Sequence, residues 1–215
     1  ILSYKSLFNY DADFITADGG FDFSYNFNKQ EQLSYRIIFC EIVTALSVQK
    51  IGGSFICKFF DIYTKMTQSF IYLLFCVYKE VYITKPNTSR SANSEKYIVC
   101  KGFLGIDDTY LKKLYILVKS IEILENDTMF IHQLFNFDID PVFLNNLSSI
   151  NTLFFNNQCN SIIQTLELIN SNTDLDIEFN SSILNQTLIA YKWCKYYKVS
   201  INYNSKYLIK YKKWL

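Results

Sequence analysis

Three polar residues, each at the end of a strand-like apolar run, constrain this chain more than any other feature. Asp18 follows the run Asp13 to Ala17, Lys58 closes Ser54-Phe55-Ile56-Cys57, and Glu95 opens the run Lys96 to Cys100. In an open α/β sheet the strand ends form the ligand crevice, so three such residues converge on one site when their strands are neighbours. Two acids flanking an amine suit proton management at a weakly acidic hydroxyl. Blander roles stand beside this one. Asp18 also reads as the turn-former of an Asp-Gly-Gly turn, Lys58 as a strand-end lysine reaching for water, and Glu95 as a cap or the partner of Arg90.

The patterning around these residues alternates. Asp13 to Ala17 is predicted as a buried strand, turned by Gly19-Gly20. From Asn28 to Gln49 the residues Leu33, Ile37, Ile38, Ile42 and Leu46 recur at helical spacing. Gly52-Gly53 reads as the stop of that helix. Ser54 to Phe59 is the next strand, Met66 to Tyr78 a second helix and Glu80 to Thr84 a strand. A polar loop from Lys85 to Ser94, containing Pro86, precedes the last strand, Glu95 to Phe103. Strands alternating with helices predict a parallel α/β sheet. The last two strands have no helix between them and form an antiparallel hairpin, since parallel neighbours need a crossover. Beyond Gly105, helical patterns follow at Tyr110 to Leu124, after Asp140-Pro141, at Ser161 to Asn170 and at Ser182 to Tyr197. The expected organisation is an α/β unit over residues 1–104 and a mostly helical extension over residues 105–215.

With 215 residues, half of them hydrophobic, the chain is long enough for one sizeable core. Its net charge of +1 conceals an asymmetry: residues 187–215 carry seven lysines and no acid, leaving the remainder at −6. Such asymmetry points to a polyanionic partner or to pairing within the chain. Lys192, Lys195, Lys198, Lys206, Lys210, Lys212 and Lys213 are interleaved with Tyr191, Trp193, Tyr196, Tyr197, Tyr203, Tyr207, Tyr211 and Trp214. Lysines among aromatics suit single-stranded RNA, with Lys192, Lys195 and Lys210 as candidate contacts. They equally suit an amphipathic terminal helix with its aromatics packed inward. The six cysteines show no metal-ligand spacing, and most sit inside apolar runs, where reduced cysteine behaves as a small hydrophobe. His132, the single histidine, lies in the apolar run Phe130 to Leu134 and is expected to be packed. The longest apolar stretch, Phe70 to Tyr78, is far short of a membrane span. A soluble protein in a reducing compartment, without a metal, is the expectation.

The segments TADGG, GGSFICKFFD and TSRSANSEKYIVCKG resemble the FtsJ/RrmJ-type ribose 2′-O-methyltransferases, in the branch that methylates the first nucleotides of capped messenger RNA. The resemblance covers about half of the chain and implies the C-terminal half of a Rossmann-like methyltransferase sheet. That family uses a Lys-Asp-Lys-Glu tetrad, whose last three members fall on Asp18, Lys58 and Glu95. By this resemblance Lys58 accepts the proton of the 2′-hydroxyl, while Asp18 and Glu95 orient it and hold the ribose. Ala17, Asp18 and Gly19 are then the contacts to S-adenosylmethionine. The donors of Ser89, Arg90, Asn93 and Ser94 suit phosphate oxygens, contacts that add affinity rather than sequence choice; the same residues also read as a solvated loop. The implied partners are capped RNA and other capping enzymes, with neither DNA nor a membrane. The implied compartment is the cytoplasm or virion for a viral source, the nucleus for a eukaryotic one.

One part of the family pattern has no counterpart. The first tetrad lysine and the Gly-rich cofactor loop precede the ADGG segment by many tens of residues in the family. Only seventeen residues precede Asp18 here, and Lys5 lies too close to serve. The chain, opening on Ile1, is therefore expected to be the C-terminal part of a longer protein or a truncated gene product. A non-catalytic RNA-binding or scaffolding subunit is the rival expectation. A nicotinamide dehydrogenase is not, because its Gly-rich fingerprint is missing.

Overall fold

The structure, a computed structural model, describes residues 11–20, 22, 26–123, 131–170 and 175–214. Ile1, Lys5, Leu124 and Phe130, named above, lie outside these. Among the described residues four strands and six α-helices follow one another: β1 (Ala12–Ala17), α1 (Gln30–Val48), β2 (Gln49–Phe59), α2 (Lys65–Val77), β3 (Tyr78–Thr84), β4 (Lys96–Phe103), α3 (Asp108–Ile123), α4 (Pro141–Asn170), α5 (Leu175–Tyr197) and α6 (Lys206–Tyr211). The α/β sheet and the helical extension expected from the sequence are both present. Compact units comprise Ile1–Ile162 and Ile163–Leu215.

The sheet runs β1-β2-β4-β3. β1 pairs parallel with β2, while β4 pairs antiparallel with both β2 and β3. The closing hairpin thus folds back so that its second strand enters between β2 and β3. β1 is not the buried strand that its apolar run suggested: Phe14 is 59% exposed, because β2 is its one partner among the described residues.

Helix α1 presents Tyr35, Ile38, Phe39, Ile42, Val43, Ala45 and Leu46 to the core, the 3.6-residue stripe of a half-buried helix. Glu31, in its first turn, accepts the amides of Tyr63 and Thr64 at 2.9 and 2.8 Å, tying the helix start to the connection between β2 and α2. That connection in turn caps α2, where the Thr64 hydroxyl accepts the Thr67 amide at 3.2 Å. The buried apolar residues of β2 include Phe55, Cys57 and Phe59, and those of β4 Ile98 and Cys100. These alternate along their strands and meet the helices on one face of the sheet. At the centre Phe39 and Phe70 stack with ring centroids 5.3 Å apart.

The Gly52-Gly53 pair does not stop α1. The helix ends at Val48, and Gln49 is already extended and paired with Ala12. The Gln49 amide is buried, donating to the Ser54 carbonyl at 2.7 Å and accepting from the Tyr78 hydroxyl. Between Gln49 and Ser54 the register with β1 shifts, and the glycines make that bulge. Gly52 has φ of +84°, and a Cβ on Gly53 would lie 2.9 Å from the Asp13 carbonyl oxygen.

Beyond the sheet, Tyr115 of α3 donates to Ser47 of α1 at 2.7 Å. Asn151 of α4, itself buried, donates to the Ile62 carbonyl at 2.6 Å. The expected pattern at Ser161 to Asn170 belongs to the C-terminal part of the long α4. In the unit Ile163–Leu215, α6 is held to α5 by Lys210 and Tyr211, which donate to the Asn180 side chain and carbonyl at 2.7 and 3.3 Å. Among the described residues no helix is long and apolar enough to cross a membrane. Replacing Phe39 by alanine removes one half of the central stack, and chemical denaturation should register a loss of about 3–5 kcal/mol.

Candidate active site

The parallel register aligns Ala17 with Cys57, so the residues that follow them, Asp18 and Lys58, emerge side by side. Lys58 Nζ lies 2.7 Å from Asp18 Oδ1 and donates to the Asp18 carbonyl oxygen at 3.2 Å. The two side chains differ in environment: that of Lys58 is 15% exposed and that of Asp18 67%. The amine also lies 5.8 Å from the centroid of the Phe60 ring. A largely enclosed amine with an open carboxylate on its rim is the geometry expected of a strand-end site, and more than a snorkelling lysine requires.

The turn carrying Asp18 is held from the helix side. Gly19 donates its amide to Glu41 Oε1 of α1 at 2.7 Å. A Cβ on Gly19 would fall 2.5 Å from that oxygen and 2.6 Å from Ile37 Cδ1, so a larger residue would displace the Glu41 carboxylate and the Ile37 side chain. The other carboxylate oxygen, Oε2, receives the Cys57 thiol at 3.7 Å. Burial raises the pKa of Glu41, against the opposing pull of the Gly19 amide, the Cys57 thiol and Lys58. Burial and the neighbouring Glu41 push the Cys57 thiol far up, so this cysteine is protonated and packed rather than nucleophilic.

Glu95 lies at the head of β4, in a loop organised by Lys85. The Lys85 ammonium donates to Asn93 Oδ1 at 2.6 Å, to the Asn93 and Glu95 carbonyls at 3.0 and 2.8 Å, and to Ser89 Oγ at 3.3 Å. Ser89 Oγ in turn donates to Glu95 Oε1 at 2.8 Å. The ion pair of Lys58 is with Asp18, and the carboxylate of Glu95 is engaged by Ser89. Tyr97 links the two halves. It pairs with Lys58 across β2 and β4 and with Thr84 across β3 and β4. Its phenol is pushed up first by burial and then by the carboxylates of Glu95 and Asp18, with Lys58 acting in the opposite sense. The charges of all three predicted residues therefore act on one tyrosine, while the ion pair is between Asp18 and Lys58.

The residues proposed for RNA divide into two kinds. Ser89, Asn93 and Ser94 spend polar atoms inside the loop and against α1, Ser94 donating to Gln30 at 2.9 Å, whereas Arg90 is exposed. In the second unit Lys192, Lys195 and Lys210 are exposed. Lys195 lies over the Tyr191 ring at 5.5 Å and Lys210 over Tyr211 at 5.2 Å. Tyr196, Tyr197 and Tyr203 are exposed while Tyr211 is buried, so the tail aromatics do not all pack inward. His132 is exposed, not packed as its apolar run suggested; its neighbours Ile131 and Leu134 turn toward the core instead.

Three residues escaped sequence reasoning. Lys85 and Tyr97 acquire their roles through strand pairing, which composition does not reveal. Glu41 did leave a trace, as an acid set within the apolar helix pattern. Replacing Lys85 by methionine keeps bulk and removes four hydrogen bonds to the loop. Trypsin should then cut after Arg90 several-fold faster than in the wild type, as local opening becomes cheaper.

Residues 2–103 match the FtsJ-like methyltransferase family. Three curated relatives carry the name cap-specific mRNA (nucleoside-2′-O-)-methyltransferase 1. The Mus musculus protein is 45% identical over 117 residues, 53% of this chain and 14% of its own length. The Ailuropoda melanoleuca and Homo sapiens proteins are 51% and 49% identical over 96 residues, 44% of this chain and 12% of theirs. The chain thus spans 14% or less of the length of these relatives. A solved Plasmodium falciparum protein, titled a putative ribosomal RNA methyltransferase, overlaps at a TM-score of 0.36 and 24% identity, covering 49% of this chain and 54% of its own. That overlap is too loose to add to the argument. The motif-bearing part of the chain, residues 2–103, is thus similar to the FtsJ-like methyltransferase family.

Proposed function

We propose that the protein carrying this chain methylates the ribose 2′-hydroxyl of the first nucleotides of capped mRNA. The observation that carries the reading is the enclosed Lys58 amine, 2.7 Å from Asp18 Oδ1 where β1 and β2 end. The names of the curated relatives supply the substrate class.

S-adenosylmethionine, when bound, supplies an electrophilic methyl group on a sulfonium. The donor set at the end of β1 fits such a cationic ligand. Asp18 presents an open carboxylate, and the main chain of Ala17 and Asp18 lies beside it. The Gly19 amide is already taken by Glu41, so Gly19 contributes its carbonyl alone. Ala17, Asp18 and Gly19 would hold the cofactor there.

Lys58, in its neutral form, takes the proton of the 2′-hydroxyl as the ribose oxygen forms its bond to the methyl carbon. Asp18 fixes the direction of Nζ and balances the positive charge that proton uptake creates. Glu95 faces the same tyrosine and would orient the ribose, its carboxylate set by Ser89. Much of the acceleration then comes from placement. The exposed Arg90, and the lysines of the second unit over their tyrosines, are the proposed RNA contacts.

Replacing Lys58 by alanine removes a general base, worth roughly 10²- to 10⁴-fold in turnover. Methyl transfer to capped RNA should fall by that amount while RNA affinity holds. Retained turnover would remove Lys58 from the chemistry, and would favour a binding subunit if Asp18→Asn were equally silent. The tail has its own test. Deleting residues 206–215 removes four lysines. The salt dependence of RNA affinity should flatten by at most about 2.8 units, at about 0.7 per phosphate contact on a single strand. Capped and uncapped RNA should weaken alike. An unchanged slope would assign these lysines to packing.

A further inference from the structure

Glu41 occupies an unusual place for an acid. It interrupts the apolar face of α1, between Ile38-Phe39 and Ile42-Val43, and points at the sheet. Its two oxygens take two different partners: the Gly19 amide at 2.7 Å and the Cys57 thiol at 3.7 Å. Gly19 directly follows Asp18, and Cys57 directly precedes Lys58. One carboxylate therefore grips the chain neighbours of both members of the Asp18–Lys58 pair, across two strands. Nothing about the turn requires an acid at this position, since a neutral acceptor would satisfy the Gly19 amide at lower desolvation cost.

We propose that Glu41 is a positioning residue that staples the Asp18 turn to β2 and holds Asp18 and Lys58 at reacting distance. This rests on the methyl-transfer reading above. The staple acts through geometry and through charge. Geometrically, Gly19 has no room to move toward α1, because Ile37 and Glu41 already fill the space a Cβ would need. Electrostatically, Glu41 faces Asp18 from the turn and Cys57 and Lys58 from β2, with Cys100 of β4 behind Cys57. A carboxylate there attracts the Lys58 ammonium.

Two variants separate these effects. Glu41→Gln keeps an oxygen for the Gly19 amide and an amide for the Cys57 sulfur, but carries no charge. Glu41→Ala removes both contacts. In ¹⁵N-labelled protein, the Gly19 amide should lose protection from hydrogen exchange in Glu41→Ala and keep it in Glu41→Gln. The wild-type amide shift should titrate with Glu41, and that titration should vanish in Glu41→Gln. In methyl transfer to capped RNA, Glu41→Ala should lose roughly 10²-fold in kcat, the scale of a misplacement of about 1 Å, with RNA affinity unchanged. Glu41→Gln should recover most of that loss.

Stability gives a third readout. A raised carboxylate pKa means the folded state binds that proton more tightly than the unfolded chain. Stability therefore falls as pH climbs from the ordinary value of 4.5 through the raised one. The melting temperature of Glu41→Gln should accordingly gain on the wild type over that interval. Wild-type kcat in Glu41→Ala, or Gly19 exchange untouched by either variant, would overturn the proposal. If the wild type moves no methyl group to ribose while Gly19 loses protection in Glu41→Ala, the staple stands and the enzymatic reading falls.

Discussion

The register of β2 against its two neighbours is the constraint on which everything else depends. β2 is parallel to β1 on one side and antiparallel to β4 on the other. A side chain on β2 therefore has its companions chosen twice. Lys58 meets the residue that follows Ala17 on one edge and Tyr97 on the other. A one-residue slip in either pairing would turn Lys58 into the core and bring Cys57 or Phe59 to the site. The buried set of Phe55, Cys57 and Phe59 prevents that slip by the burial it would forfeit.

The same strand separates apolar from polar duty by alternation alone. Its helix-facing residues meet the Phe39–Phe70 stack, and the amine emerges on the other face. Charges on the sheet's rim are each assigned to one structural task. Asp61 holds the buried Lys96, at 3.3 Å from its ammonium, which also donates to the Phe60 and Ser94 carbonyls. Lys85 gathers the loop, Glu41 the turn. These lysines and acids keep the surroundings rigid, which leaves Asp18 as the open carboxylate beside Lys58.

Much of this was legible in the sequence, and the reasons it was legible differ. Element order followed from the periods of the apolar runs, and the closing hairpin from the absence of a helix between Thr84 and Lys96. The nearness of Asp18 and Lys58 followed from each lying at the end of a strand, the two strands being neighbours. What escaped has a common physical source, the action of distant chain on local pattern. Gly52-Gly53 looks like a helix stop because glycine commonly ends helices, yet the buried Gln49 side chain takes the chain out of the helix three residues sooner. Phe14 is apolar but exposed, since alternation says nothing about how many neighbours a strand has. Tyr97 and Lys85 gain meaning through pairings across β2, β4 and β3, and Ser89, Asn93 and Ser94 turned out to be consumed by the loop they form.

The order in which the sheet is completed has a consequence for the nascent chain. β2 and β3 never pair with each other; β4, made last, fills the gap between them. Until the chain from Thr84 to Phe103 has emerged, the facing edges of two apolar strands lack the strand that joins them. Open edges of this kind are templates for intermolecular pairing, and closure must wait for contacts distant in sequence. Susceptibility to aggregation on the ribosome is therefore concentrated in that brief interval. It ends when Lys96 to Phe103 slots into place, the same event that brings Glu95 and Tyr97 to the lysine.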